Sequence, residues 1–296
     1  MIRIGGTILA ALLGLAFGSF LNVCLSRWPE GESVITPRSH CRHCSRTLAW
    51  WENVPLVSWL ALRGRCRGCK AWIGWRYPLV ELAVGELWAV DAWMRLAGPN
   101  AWLAHPFHYP EKPFVEVGSA LFLWLLVALA ALDAECLWLP DKLTIPGIAL
   151  GIISTVLANR IFYRMFYDFG PPTPPLAPGA LRRIGETLAA ATLILLIRWV
   201  YWLIRRREGI GLGDAKLMAM LAAWLGLPGA LLAFGLGVVL GALVAIVALA
   251  IPAARAGANG WALKKLPLGT FLCIGGIVSS MWGQPIIAAY LRWAGF

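Results

Sequence analysis

The stretch GSALFLWLLVALAALD, Gly118 to Asp133, decides the fold. It carries no charge until its last residue, so it reads as a membrane helix that delivers a carboxylate to its own end. An ionisable group in such a place costs at least a few kcal/mol unless it has a function or a partner. Working outward, seven further apolar runs bounded by charges or by Gly and Pro clusters give eight expected spans in all. They cover residues 5–23, 78–97, 118–133, 144–162, 184–204, 214–228, 230–252 and 268–291. The expected fold is therefore all-α, a polytopic membrane protein.

Composition agrees. Of 296 residues, 59% are hydrophobic and only 14% charged, which excludes an ordinary soluble globule. The net charge of +11 would suggest nucleic acid in a soluble chain. Here the basic residues lie between apolar runs, so they read as a topology signal, and no nucleic-acid partner is expected. Residues 24–77 hold nine basic side chains against three acidic ones, which predicts a cytoplasmic first loop and an N-terminus outside. Alternation then puts the segment around 134–143, the Arg205–Arg207 run and the Arg255–Lys265 loop inside. The stretches 98–117 and 163–183 fall outside, and Arg164, Arg182 and Arg183 in the latter run against the charge rule. The first run follows Arg3 without a small-x-small cleavage site and reads as a retained span. The expected division is a first span at 1–23, a loop at 24–77 and a membrane domain at 78–296.

Two motifs carry chemistry. Cys41-x-x-Cys44 and Cys66-x-x-Cys69 are spaced like the two hooks of a zinc ribbon, and their four thiolates would fill a tetrahedral Zn²⁺ as a structural site. His40 and His43 are the alternative ligands. Cys24, Cys136 and Cys273 read as packing residues. The second motif is a pair of acids. Asp133 lies in Asp133-x₆-Pro140-Asp141, and Asp214 lies in Gly211-Leu212-Gly213-Asp214-Ala215-Lys216. If the two carboxylates meet, one shared proton leaves a base to activate water and an acid to polarise a carbonyl, the chemistry of an aspartic protease. Gly211 and Gly213 would let backbone come close. The rival reading makes Asp133 and Asp214 proton relays in a non-enzymatic assembly or transport protein whose cysteine loop docks a partner. Acids at the ends of spans beside glycines fit cleavage at the membrane face better. Gly14-x-x-x-Gly18 and Gly237-x-x-x-Gly241 favour close helix packing without requiring a dimer.

The order of these parts resembles the bifunctional prepilin leader peptidase and N-methyltransferase family of type IV pilus and type II secretion systems. Gly18-Ser-Phe-Leu-Asn-Val-Cys24, Pro37-Arg-Ser-His-Cys41, Trp75-Arg-Tyr-Pro-Leu-Val-Glu81 and Leu266-Pro-Leu-Gly-Thr270 add to the likeness. The resemblance implies an aspartic protease of the bacterial inner membrane that removes the short basic leader of a prepilin or pseudopilin after a Gly on the cytoplasmic side. It implies Asp133 and Asp214 as the catalytic pair, with Asp141 and Lys216 supporting. It also implies methylation of the new N-terminal amine from S-adenosyl-L-methionine, although no glycine-rich nucleotide-binding turn is present. Arg38 and Glu52, on the loop around Pro37–His40 and beyond it, are the candidate contacts for that charged cofactor. Glu135, Asp141 and Glu208, which flank the two acids, are the candidates for receiving a basic leader.

Overall fold

The computed structural model describes residues 2–96, 112–166, 176–207, 211–250 and 266–295. Glu208 and the Arg255–Lys265 loop lie outside them. Eight helices are described: α1 (Ile2–Arg27), α2 (Val57–Ala61), α3 (Arg76–Leu96), α4 (Lys112–Cys136), α5 (Asp141–Phe166), α6 (Leu176–Arg205), α7 (Leu212–Ala250) and α8 (Leu268–Trp293). No strand is present among the described residues, only two isolated β-bridges. The chain divides into two compact units. One comprises Met1–His108 with Ser119–Ala131, the other Tyr109–Gly118 with Leu132–Phe296, so α4 contributes to both.

Six helices are long and apolar enough to cross a membrane: α1, α4, α5, α6, α7 and α8. Two physical details separate that number from the eight expected spans. The runs at 214–228 and 230–252 form one long helix, α7, broken only at Gly226, whose φ of 75° and ψ of 171° are open to glycine alone. Arg183 reaches into the break and donates to the Ala222 carbonyl at 3.3 Å, satisfying an acceptor that the break leaves over. The run at 78–97 is helical as α3, yet Glu81, Glu86, Asp91 and Arg95 make it too charged to count by composition. Its Asp91 is neutralised locally, accepting from Arg95 at 2.9 Å and from Ser119 at 2.7 Å.

In the first unit, α1 packs on α3 through the Gly14 and Gly18 stripe. A Cβ on Gly14 would sit 2.8 Å from the Val84 carbonyl, and one on Gly18 would sit 2.7 Å from the Glu81 Cα. Residues 119–131 of α4 join this pair, with Trp124 donating to the Phe17 carbonyl at 3.2 Å and Trp88 to the Ala120 carbonyl at 2.9 Å. In the second unit α7 is central, packed on α5, α6 and α8. Gly237 meets the backbone of Phe271 and Leu272 on α8, so both small-residue stripes pack within the chain. Arg182 and Arg183 lie on α6 and not in a loop. Both donate to the single carboxylate of Glu186 at 3.0 Å.

Candidate active site and metal centre

Asp133 stands in the last turn of α4, 6% exposed. Leu137, at φ 50°, turns the chain out of that helix, and Pro140 leads into α5. The carboxylate then meets the start of α8. The N-cap of that helix, Pro267, offers no side-chain bond, so the first N–H groups of α8 lack an internal partner. Asp133 supplies one from a different helix: its Oδ2 accepts the Thr270 N–H at 2.7 Å and the Thr270 hydroxyl at 3.2 Å. The positive end of the α8 dipole favours charge there.

Asp214 is the third residue of α7, 9% exposed, and caps its own helix. Its Oδ2 accepts the Gly211 N–H at 3.0 Å, the acid half of a capping box. Two helix N-termini are thus each held by one acid, and the acids lie within reach of one another's charge and of buried Cys273 on α8. Leu139 fills the space between the two first turns. A Cβ on Gly213 would lie 3.1 Å from the Leu139 Cβ, and one on Gly269 would lie 3.0 Å from its Cδ1 and 2.9 Å from Asp133 Oδ2. Asp141, at the start of α5, pairs with Lys216 one turn into α7, which links two helix starts around the acids. Glu135 is exposed on the last turn of α4.

Gly269 and Thr270 were quoted in the sequence only as part of a local likeness. Their role follows from geometry, because the acid that they hold lies 137 positions away.

The first unit contains the four cysteines. The Sγ atoms of Cys41, Cys44, Cys66 and Cys69 all lie within 4.8 Å of one another, and Cys41 and Cys69 are 3.8 Å apart. A tetrahedron with Zn–S bonds of about 2.3 Å has edges of about 3.8 Å, so the donor set fits zinc. Segments 39–48 and 64–73 are one backbone motif used twice, a repeat hidden from the sequence except for the cysteines. In each, the first Cys N–H donates five residues on, to Arg46 or Ala71, and its carbonyl accepts from the residue after the second Cys, Ser45 or Lys70. Both of those residues have positive φ. N–H groups of Cys69 and Gly68 draw the Cys66 thiol down to about 6. Against an Ala71 N–H that favours its thiolate, desolvation and the thiols of Cys44, Cys41 and Cys66 hold Cys69 up at about 11. His40 and His43 stay outside the sulfur cluster.

Glu52 is buried and fully engaged. It accepts from Arg46 at 2.5 Å and from the Ala49 N–H at 2.8 Å, and the Arg46 guanidinium with that N–H holds its carboxyl below the usual range. Glu52 therefore braces the first hook. Arg38 is exposed on a cleft of about 400 Å³ between α1 and the loop. Buried Arg27 shapes that wall by donating to the carbonyls of Ser33 at 2.8 Å and Pro37 at 2.7 Å.

These features define a multi-pass helical membrane protein with paired acids at helix termini and a cluster of four cysteines that could hold a metal. The chain belongs to the type IV leader peptidase family. Residues 120–246 match the model of that name, and residues 12–95 match the bacterial peptidase A24 N-terminal domain. It is 34% identical to the prepilin leader peptidase/N-methyltransferase of Stutzerimonas stutzeri over 96% of this chain and 93% of that protein. The identity and coverage are the same for the protein of that name from Pseudomonas aeruginosa. The Myxococcus xanthus protein is 39% identical over 72% of this chain and 54% of its own length. No solved structure matches.

Proposed function

We propose that this chain cleaves the leader of type IV prepilins or type II secretion pseudopilins after a Gly and N-methylates the residue exposed. The observation that carries the peptidase reading is the mutual reach of Asp133 and Asp214, two buried carboxylates each held at a helix N-terminus. In such a pair one carboxyl carries the proton and the other does not. The ionised member removes a proton from water as the water oxygen attacks the scissile carbonyl. The protonated member gives its proton to the carbonyl oxygen. When the tetrahedral intermediate collapses, the C–N bond breaks and the departing amine takes up a proton from the pair. Asp141 and Lys216 support the frame around the acids, and Gly211 and Gly213 leave room beside them.

The +11 charge and the basic 24–77 loop support an inner-membrane protein with that loop and the acids on the cytoplasmic side. The 24–77 loop holds structural zinc on Cys41, Cys44, Cys66 and Cys69, and the peptidase lies within 78–296. S-adenosyl-L-methionine supplies the methyl group, with Arg38 on the cleft wall as a candidate contact and Glu52 behind it as a brace. Exposed Glu135 and Asp141 are placed to meet a basic leader.

The test is to incubate the purified chain with a synthetic prepilin peptide, with and without S-adenosyl-L-methionine, and to read cleavage and a gain of one methyl by mass spectrometry. Cleavage should need both Asp133 and Asp214, and methylation should follow it. A chain that leaves the peptide intact refutes the reading.

A further inference from the structure

A second cavity, of about 280 Å³, lies within the first unit between α1, the cysteine loop and α3. Among the residues lining it are Asn22, Glu81 and Trp59, together with Arg27, Arg42 and Arg67. Two of these are unusual. Glu81 is 7% exposed, accepts the Leu56 N–H at 2.8 Å, and has no ion pair among the described residues. The arginines beside it have partners of their own, Arg67 lying over the Trp51 ring at 5.1 Å from its centroid. Arg42 donates to Glu30, Arg46 to Glu52, Arg76 to the Ser26 hydroxyl, and Arg27 to loop carbonyls. Asn22 is 2% exposed. Its amide N–H donates to the Tyr77 carbonyl at 2.9 Å, which leaves Oδ1 as the free end, and that atom is buried without a partner.

Asn22 Oδ1 is thus a buried acceptor without a donor, and Glu81, which has the Leu56 N–H and the Ser19 hydroxyl as donors, is a buried carboxyl without a counter-ion; both arrangements are unfavourable. The complement of these two acceptors is an N–H donor such as an ammonium group. We propose that this cavity binds a primary α-ammonium group of the methyl-transfer reaction, received by Glu81 and Asn22. The inference rests on the N-methyltransferase reading above. Both reactants carry such a group, the cut substrate at its new N-terminal residue and the methyl donor on its amino-acid portion. The apolar walls, including Trp59, suit the side chain that accompanies the substrate amine.

The experiment titrates full-length protein in nanodiscs with two pairs of ligands. One pair is a prepilin peptide beginning at the residue exposed by cleavage and its N-acetylated form. The other is S-adenosylhomocysteine and 5′-methylthioadenosine, which lacks the amino-acid portion. Glu81→Gln should weaken the amine-bearing member of one pair roughly tenfold or more while its amine-free counterpart binds as before, and the pair that responds names the source. Unchanged binding throughout, or equal losses within each pair, overturns the site. A wild type that binds neither pair and methylates no peptide overturns the activity reading, and the site with it. A measurement on the wild type removes dependence on how the variant folds: dicyclohexylcarbodiimide modification of Glu81, read by mass spectrometry, should be slowed by an amine-bearing ligand and not by its amine-free partner. Equal modification with either overturns the proposal.

Discussion

Gly269→Ala probes how Asp133 is held. An added Cβ would lie 2.9 Å from Asp133 Oδ2 and 3.0 Å from its Cγ, where ordinary contact begins at 3.4 Å. The carboxylate must move by 3.4 − 2.9 = 0.5 Å. A shift of that size carries the 2.7 Å bond from the Thr270 N–H to the outer edge of the hydrogen-bonding range. Hydrogen bonds to charged groups contribute about 1.5–3 kcal/mol, and each 1.4 kcal/mol is a factor of ten, so cleavage should slow roughly ten- to hundredfold. The loss should fall mainly on kcat, because the bond orients a reacting group. Thr270→Val removes the 3.2 Å hydroxyl bond to Asp133 and keeps the backbone donor, so it should cost less than Gly269→Ala. The assay is the initial rate of prepilin peptide cleavage in liposomes, with limited proteolysis as the control for folding. A folded Gly269→Ala protein within twofold of the wild-type rate would show that the Thr270 N–H does not position the acid.

Asp133→Asn and Asp214→Asn should each abolish cleavage in a folded protein, whereas Asp141→Asn, which loses only an exposed pair with Lys216, should keep most of the rate. A reversed order, with Asp141→Asn inactive and Asp133→Asn active, would reassign the pair. Metal analysis should find one zinc per chain. Chelation, or Cys66→Ser, should loosen the loop, seen as a change in fluorescence of the Trp59, Trp72 and Trp75 cluster, before cleavage is lost. A zinc-free chain with the same emission would refute this.

What the sequence made legible follows from which signals are local. Asp133 and Asp214 stand out because a carboxylate ending an apolar run is costly wherever the chain goes next. Four cysteines in two hooks carry their own spacing. The hold on Asp133 was hidden, because Thr270 is an ordinary threonine until α8 begins beneath an acid 137 positions away. The number of crossings was blurred for a related reason. Gly226-Leu-Pro-Gly229 breaks a helix equally well as a kink or as a loop, and composition does not distinguish them. Glu52 reads equally as a cofactor contact or as a support for the zinc hook, because nothing local reveals that Arg46 and the Ala49 N–H enclose it. Glu81 and Asn22 stand in the sequence only within local likenesses, since a buried carboxyl without a counter-ion and an amide oxygen without a donor exist only once the cavity does.

Gly269 faces Leu139 as well as Asp133, so the source of the Gly269→Ala defect needs its own test. The Leu139 Cδ1 is 3.0 Å from the added Cβ, nearly as close as Asp133 Oδ2. The two neighbours yield at different cost. Leu139 presents the far end of a flexible side chain that can turn aside, whereas Asp133 is short and fixed by two bonds to Thr270. The loss should therefore run through Asp133. A double-mutant cycle with Leu139→Ala separates the routes. Alanine removes Cδ1 and keeps the Cβ that faces Gly213, so the start of α7 should hold its place. Leu139→Ala alone should lower stability by about 2 kcal/mol or more, as emptying a packed site does, with a smaller effect on rate. In that background Gly269→Ala should still slow cleavage by most of its original factor. A double variant restored to the rate of Leu139→Ala alone would mean that crowding against Leu139 had caused the defect and that the grip of Thr270 on Asp133 survives the added methyl.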